Sequence, residues 1–209
     1  MDYADGMPRT GRLYFPGACY HLIGRGLEKR FIFEHAVDKR DMLARFGIHL
    51  RKTGGQCLAW ALMSNHYHFL IRAGSNPLGK LMAPVLGGFA GSYNRRYQRT
   101  GYVFQNRFTS ILCDEENYLL ELVRYIHLNP VRAGLVEGVE SLGHYPWTGH
   151  AGLLNRYCQD WHSTDDVLSR FAADRRKAVR KYVEFIQAGI RSTDSGEFLM
   201  EGLVRSHKS

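Results

Sequence analysis

Hydrophobic and polar positions along the chain switch between two periods, and the switches mark out its elements. Ala18 to Gly26 (ACYHLIGRG) predicts a strand closed by glycines. Met42, Phe46 and Leu50 then recur every four residues, which predicts a helix capped by Asp38 and running to about Lys52, where Thr53-Gly54-Gly55 breaks it. Gln56 to Met63 and His66 to Arg72 predict two strands joined tightly through Ser64-Asn65. Asn76-Pro77 opens a second helix carrying Leu78, Leu81, Met82, Val85 and Phe89 on one face to about Arg99, with Pro84 and Gly87-Gly88 as points of kinking. Val103 to Cys113 predicts a further strand. Asp114 then caps a helix that continues as EENYLLELVRYIHL until Pro130.

The order strand, helix, strand, strand, helix, strand is that of an α+β fold of the ferredoxin-like, split βαβ kind: an antiparallel sheet with helices on one face. The helix ending at Pro130 is an addition to it. After Gly143 the texture changes. HYPWTGHAGLL reads as loop, Ser163-Thr164-Asp165-Asp166 as a helix start, and Val179, Tyr182, Val183 and Ile186 as one face of a closing helix that ends at Gly189, followed by a polar, mobile tail. This divides the chain into a principal domain over residues 1–147 and a helical C-terminal extension over 148–209.

Composition adds a partner class. The 209 residues are 44% hydrophobic and 23% charged, which excludes wholesale disorder. No apolar run is long enough for a membrane span, and MDYADGMPRTGR lacks the apolar core of a signal peptide. Four cysteines without paired spacing (Cys19, Cys57, Cys113, Cys158) fit buried, reduced thiols in the cytoplasm. The net charge of +8 draws polyanions, of which nucleic acid is the commonest in that compartment.

Two short patterns carry chemistry. His66 and His68 are one residue apart on a strand, so both imidazoles project from one face and can begin a divalent metal site, or merely occupy a polar sheet end. Tyr125 and Asn129 lie one helical turn apart. Asn129 offers a hard oxygen ligand for Mg²⁺ or Mn²⁺, and a cation so held would favour ionisation of a neighbouring phenol. The same stripe, with Tyr118 and Leu122, also reads as ordinary core, and Asn129 before Pro130 as a helix stop. Tyr118 is a rival nucleophile, but it lies about 16 Å along the helix from Asn129. His127 points away from Tyr125, and His21 stands on a strand that can neighbour the His-x-His strand.

Between Tyr93 and Arg107 (YNRRYQRTGYVFQNR), rings alternate with Arg95, Arg96, Arg99 and Arg107, the combination used to grip single-stranded DNA. Arg25, Lys29 and Arg30 form a second basic group. Arg175, Arg176, Lys177, Arg180 and Lys181 form a third, which reads more simply as a solvated helix face.

Taken in order, PGACYHLIGRG, MSNHYHFLI, GYVFQNRF and YLLELVRYIHLNPVRAGLV resemble the REP-associated tyrosine transposases, single-tyrosine members of the insertion-sequence branch of the HUH nuclease superfamily, from about Met7 to Trp147. The resemblance implies a bacterial, cytoplasmic, nucleoid-associated DNA transposase in which His66, His68 and Asn129 hold one Mg²⁺ or Mn²⁺ ion. Tyr125 would cleave and rejoin single-stranded DNA at repeated extragenic palindromic hairpins through a 5′-phosphotyrosine intermediate. It further implies a monomer, although some insertion-sequence relatives dimerise by exchanging helices. Arg9 and Arg12, with Arg25, Lys29, Arg30, Arg95, Arg96, Arg99 and Arg107, are the expected DNA-binding residues.

Other readings remain open at this level. A transposase-derived, non-catalytic module that binds single-stranded nucleic acid would keep the basic residues and lack cleavage. A metal hydrolase using activated water would leave no covalent adduct.

Overall fold

The computed structural model describes residues 14–113 and 116–191. Four strands, β1 (Cys19–Arg25), β2 (Gln56–Leu62), β3 (His66–Arg72) and β4 (Thr109–Cys113), form one antiparallel sheet in the order β2-β3-β1-β4. This is the split βαβ order: β1 and β3 sit side by side at the centre, in register from Cys19↔Arg72 to Arg25↔His66.

Strand alternation sends side chains to two cores. Tyr20, Leu22, Tyr67, Phe69 and Ile71 face helices α1 (Ala36–Thr53) and α2 (Leu78–Arg96), where Met42, Phe46, Val85 and Phe89 complete a buried cluster. Leu58, Ala59, Ala61 and Leu70 face the opposite way, against α3 (Glu116–Arg132) and α7 (Arg175–Arg191). Cys57 and Trp60 share a face although three apart, because β2 carries a bulge between Cys57 and Ala59.

The chain beyond Trp147 joins both cores. Trp161 packs on Phe46 and Trp60, so closely to α1 that a Cβ at Gly47 would fall 2.2 Å from its ring. It also protects the outer strand: Leu62 N–H donates to Trp147 O (2.9 Å) and Ser163 N–H to Cys57 O (2.8 Å), satisfying part of the edge of β2. Short helices α4 (Gly138–Leu142), α5 (Gly149–Leu153) and α6 (Thr164–Leu168) fill the layer between.

Several boundaries differ from the sequence reading. His35, not Asp38, is the N-cap of α1; Asp38 sits in the first turn, where its Oδ2 accepts from His35 N–H at 2.9 Å. Helix α2 runs through Pro84 and the glycine pair but stops at Arg96, since Gln98 adopts φ 51°. Only Thr109–Cys113 of the predicted strand pairs in the ladder: Val103 and Phe108 are buried and Phe104 partly so, but the backbone of that segment bonds to Arg25 and Leu27. Helix α3 continues past Pro130 to Arg132, because the proline falls in the last turn and Gly134 (φ 68°) follows as the left-handed terminator.

The expected loop contains α5, the Ser163 start yields only one short turn of helix, and α7 continues through Gly189. The Asp114 cap, Arg9, Arg12 and the tail beyond Arg191 lie outside the described residues. None of the four cysteines forms a disulfide, but Cys158 is exposed, and Cys19 and Cys113 are cross-strand partners. No helix among the described residues is long and apolar enough to cross a membrane.

Candidate active site

The α3-facing side of the central strand pair carries three imidazoles. His66 and His68 lie on β3 with ring centroids 5.0 Å apart, and His21 reaches in from β1. His21 Nε2 and His68 Nδ1 are 2.9 Å apart. His66 Nδ1 contacts Asn65 Oδ1 at 2.6 Å, so it carries the proton and donates to that oxygen. In each β3 histidine the δ nitrogen is therefore occupied by a neighbour. The Nε2 of His68 is buried and has no hydrogen-bond partner.

Helix α3 supplies the opposite wall. The Tyr125 ring stands edge-on to His68 (centroids 5.9 Å) and to His21 (6.3 Å). Asn129 Nδ2 donates to Tyr125 O at 2.9 Å, which turns the amide oxygen into the end open to a cation. The sequence reading missed Arg132, whose guanidinium lies 5.3 Å from the centroid of the Tyr125 ring. Its signal was the seven-residue spacing from Tyr125, two turns along the same helix. Tyr118, the rival tyrosine, is half exposed on the first turn of α3.

Burial makes these imidazoles poor proton acceptors. Desolvation lowers His21 to about 3. It lowers His66 to about 4, with Arg25 adding to the effect. It lowers His68 well below its ordinary value, with His21, His66 and Arg25 adding to it. Neutral imidazoles have lone pairs to give, the state a metal ligand requires. Among the described residues no three His, Cys, Asp or Glu side chains are arranged to hold an ion together. Asn129, which faces the same space from α3, carries an oxygen of a type outside that set.

The basic residues are placed unevenly. Arg25 is exposed at the end of β1, paired across to His66. Lys29 and Arg30 are exposed in the following turn, where Glu28 and Lys29 hold φ of 53° and 61° and Arg30 pairs with Glu28 at 2.8 Å. Arg95 and Arg107 stand exposed, and Arg99 lies 5.7 Å over the Tyr93 ring. Arg96 is engaged elsewhere: it pairs with the fully buried Asp38, which also accepts from Tyr97 Oη at 2.7 Å.

A second histidine group lies between α3, α5 and α7. Tyr182 Oη contacts His127 Nδ1 (2.8 Å) and His150 Nδ1 (2.7 Å), and His162 Nε2 reaches Leu58 O (3.2 Å). His127 therefore points away from Tyr125, into the packing between α3 and the C-terminal helices. Nothing in the spacing of these residues announces the group.

Comparison with known proteins places this geometry in a family. A model of the family "Transposase IS200 like" matches residues 15–129, over half of the chain, and includes the His-x-His strand, Tyr125 and Asn129. A search of curated proteins finds no match. Among solved structures, a REP-associated tyrosine transposase bound to a REP hairpin superposes with a TM-score of 0.57 at 15% identity, covering 81% of this chain and 93% of that one. A putative transposase from Deinococcus radiodurans R1 is more distant, with a TM-score of 0.37 at 18% identity over 57% of this chain and 95% of that one. The family match over more than half of the chain shows that the chain belongs to the IS200-like transposases.

Proposed function

We propose that the protein is a single-tyrosine transposase of the REP-associated type, which cleaves and rejoins single-stranded DNA at palindromic hairpins with Tyr125 as its nucleophile. The observation that carries this reading is the Tyr125 ring standing 5.9 Å from the ring of His68, whose buried Nε2 has no other partner. A phenol beside an unused imidazole lone pair is what metal-assisted attack on a phosphodiester needs. The hairpin bound by the structurally similar transposase supports the choice of substrate.

The residues fit a divalent ion. His66 and His68 through their ε nitrogens and Asn129 through Oδ1 would hold it, leaving positions for phosphate oxygens. Bound there, Mg²⁺ or Mn²⁺ would withdraw charge from the phosphate and favour the phenolate. His21 fixes the ring and tautomer of His68: His68 Nδ1–H donates to His21 Nε2, which frees the lone pair at His68 Nε2. Arg132 holds the Tyr125 ring by its face and offers a positive charge to the phosphate.

In the cleavage step Tyr125 Oη bonds to phosphorus and the bond from phosphorus to the 3′ oxygen breaks. The phenolic proton is lost to solvent and the leaving oxygen takes one up, giving a 5′-phosphotyrosine and a 3′-hydroxyl. Attack by a 3′-hydroxyl reverses these changes and reseals the strand, so the exchange conserves phosphodiester bonds and draws on no nucleotide triphosphate.

We assign residues 1–147 to catalysis and 148–209 to an extension that holds α3 against the sheet through α7. Arg25, Lys29, Arg30, Arg95, Arg99 and Arg107 are the DNA-facing cations, with Arg9 and Arg12 preceding the described residues. We place the protein in the bacterial cytoplasm as a monomer. Covalent trapping of DNA on the protein in Mn²⁺ tests the reading, since a water-activating hydrolase or a binding module leaves no adduct.

A further inference from the structure

A cavity of about 590 Å³ opens between α2 and the segment that precedes β4, on the face of the sheet away from Tyr125. It falls within the range of small-ligand pockets, roughly 300–1,000 Å³. Ala83, Leu86 and Ala90 of α2 form one wall, and Val103 and Phe104 form the other. At Gly79 and Gly87 an added Cβ would meet nothing within 4 Å, so the helix leaves this space open. Tyr102 is 84% exposed at the mouth, beside exposed Gln105, Asn106 and Arg107.

We propose that this cavity takes an unstacked base of the single-stranded DNA, a specificity subsite that rests on the transposase reading above. The chemistry of the lining favours that occupant. An apolar slot with an aromatic side chain at its lip accepts a flat heteroaromatic ring. Two amide side chains on the rim can bond a base edge, and Arg107 can meet the attached phosphate.

Charge complementarity selects a polyanion over an apolar peptide, because exposed Arg107 lines the cavity and Leu27, which also lines it, lies in the chain between exposed Arg25 and Lys29. Position does the rest. Gln105 N–H donates to Arg25 O at 3.0 Å and Leu27 N–H to Val103 O at 3.0 Å, which fixes the cavity wall to the end of β1. Arg25 is the cross-strand partner of His66. A strand whose phosphate sits at His66 thus lies at the end of β1 to which the cavity wall is tied, with the slot on the opposite face of the sheet.

The test uses the full chain and a fluorescent oligonucleotide carrying a palindromic hairpin with single-stranded arms, in which abasic sites replace the arm bases one at a time. For the wild type, one position is expected to lose affinity by about tenfold when its base is removed, the cost of one lost stacking contact. That penalty should shrink to nothing in Ala83→Trp, which fills the slot, and shrink in Tyr102→Ala, which removes an exposed ring without altering the core. Both variants should still form the covalent adduct at saturating DNA. Equal affinity at every abasic position in the wild type, or a penalty unchanged in both variants, would overturn the subsite and leave the transposase reading standing. Failure of the wild type to bind the hairpin at all would overturn both.

Discussion

His21 Nε2 lies 2.9 Å from His68 Nδ1, a contact between neighbouring strands that joins the proposed metal-binding face to the centre of the sheet. Both rings are buried, so neither partner can be replaced by water without repacking. Removing a second-layer hydrogen bond to a metal-ligating histidine costs about 10–100-fold in metal affinity or activity. His21→Ala should therefore weaken Mn²⁺ binding by that order, measured by calorimetry on the protein alone, and adduct formation should recover at high Mn²⁺. Unchanged Mn²⁺ affinity would reduce His21 to a packing residue.

Arg95 and Arg96 are adjacent in sequence and have opposite prospects. Arg95 is exposed, whereas Arg96 neutralises the buried Asp38 carboxylate that anchors the first turn of α1. Arg95→Glu should lower hairpin affinity several-fold at low salt without changing the unfolding midpoint. Arg96→Glu should cost about 2–3 kcal/mol of stability, towards the lower side of a buried pair because Arg96 is itself partly exposed. Urea unfolding of the two variants separates the roles; equal destabilisation would remove the distinction.

The group around Tyr182 makes stability depend on pH. Desolvation lowers His150 to about 4, with Arg156 adding to it, and lowers His162 to about 4 against the opposing bond to Leu58 O. A folded-state value below the unfolded one near 6.5 means that the unfolded chain binds more protons between pH 4 and pH 6.5. Stability is fully present above that window and is lost as pH falls through it. From about pH 7.5 to about pH 5.5 each imidazole should remove roughly 1–2 kcal/mol, read as a falling urea midpoint. Tyr182→Phe should itself cost about 1–3 kcal/mol by leaving ring nitrogens unpaired. A midpoint flat over that pH range would contradict the burial described.

What the sequence made legible follows from which signals are local. The split βαβ order was readable because β1, β3, α1 and α2 each repeat one period, and His66 and His68 share a face for the same reason. Tyr125 and Asn129 were readable as one helical turn. The segment from Val103 to Phe108 was misread as strand because its aromatic and branched residues lead into β4 without a glycine or proline to break them, although they serve the cavity wall and its backbone bonds to Arg25 and Leu27. The pairing of Arg96 was not legible because its partner, Asp38, is 58 residues away in sequence. The Tyr182 group brings together residues from α3, α5, α7 and the turn before α6, so only the fold assembles it. Asn129 before Pro130 resembled a helix stop, yet the helix carries one more short stretch and brings Arg132 under Tyr125.

Attack of Tyr125 on DNA is the step on which the proposed function turns. Incubating the protein with Mn²⁺ and a single-stranded oligonucleotide bearing a palindromic repeat from the genome that encodes it, then resolving the products on a denaturing gel, tests this directly. The wild type should form a covalent protein–DNA species and Tyr125→Phe none, with hairpin binding retained by the variant. An adduct that persists in Tyr125→Phe, or cleavage by the wild type without any adduct, would contradict it.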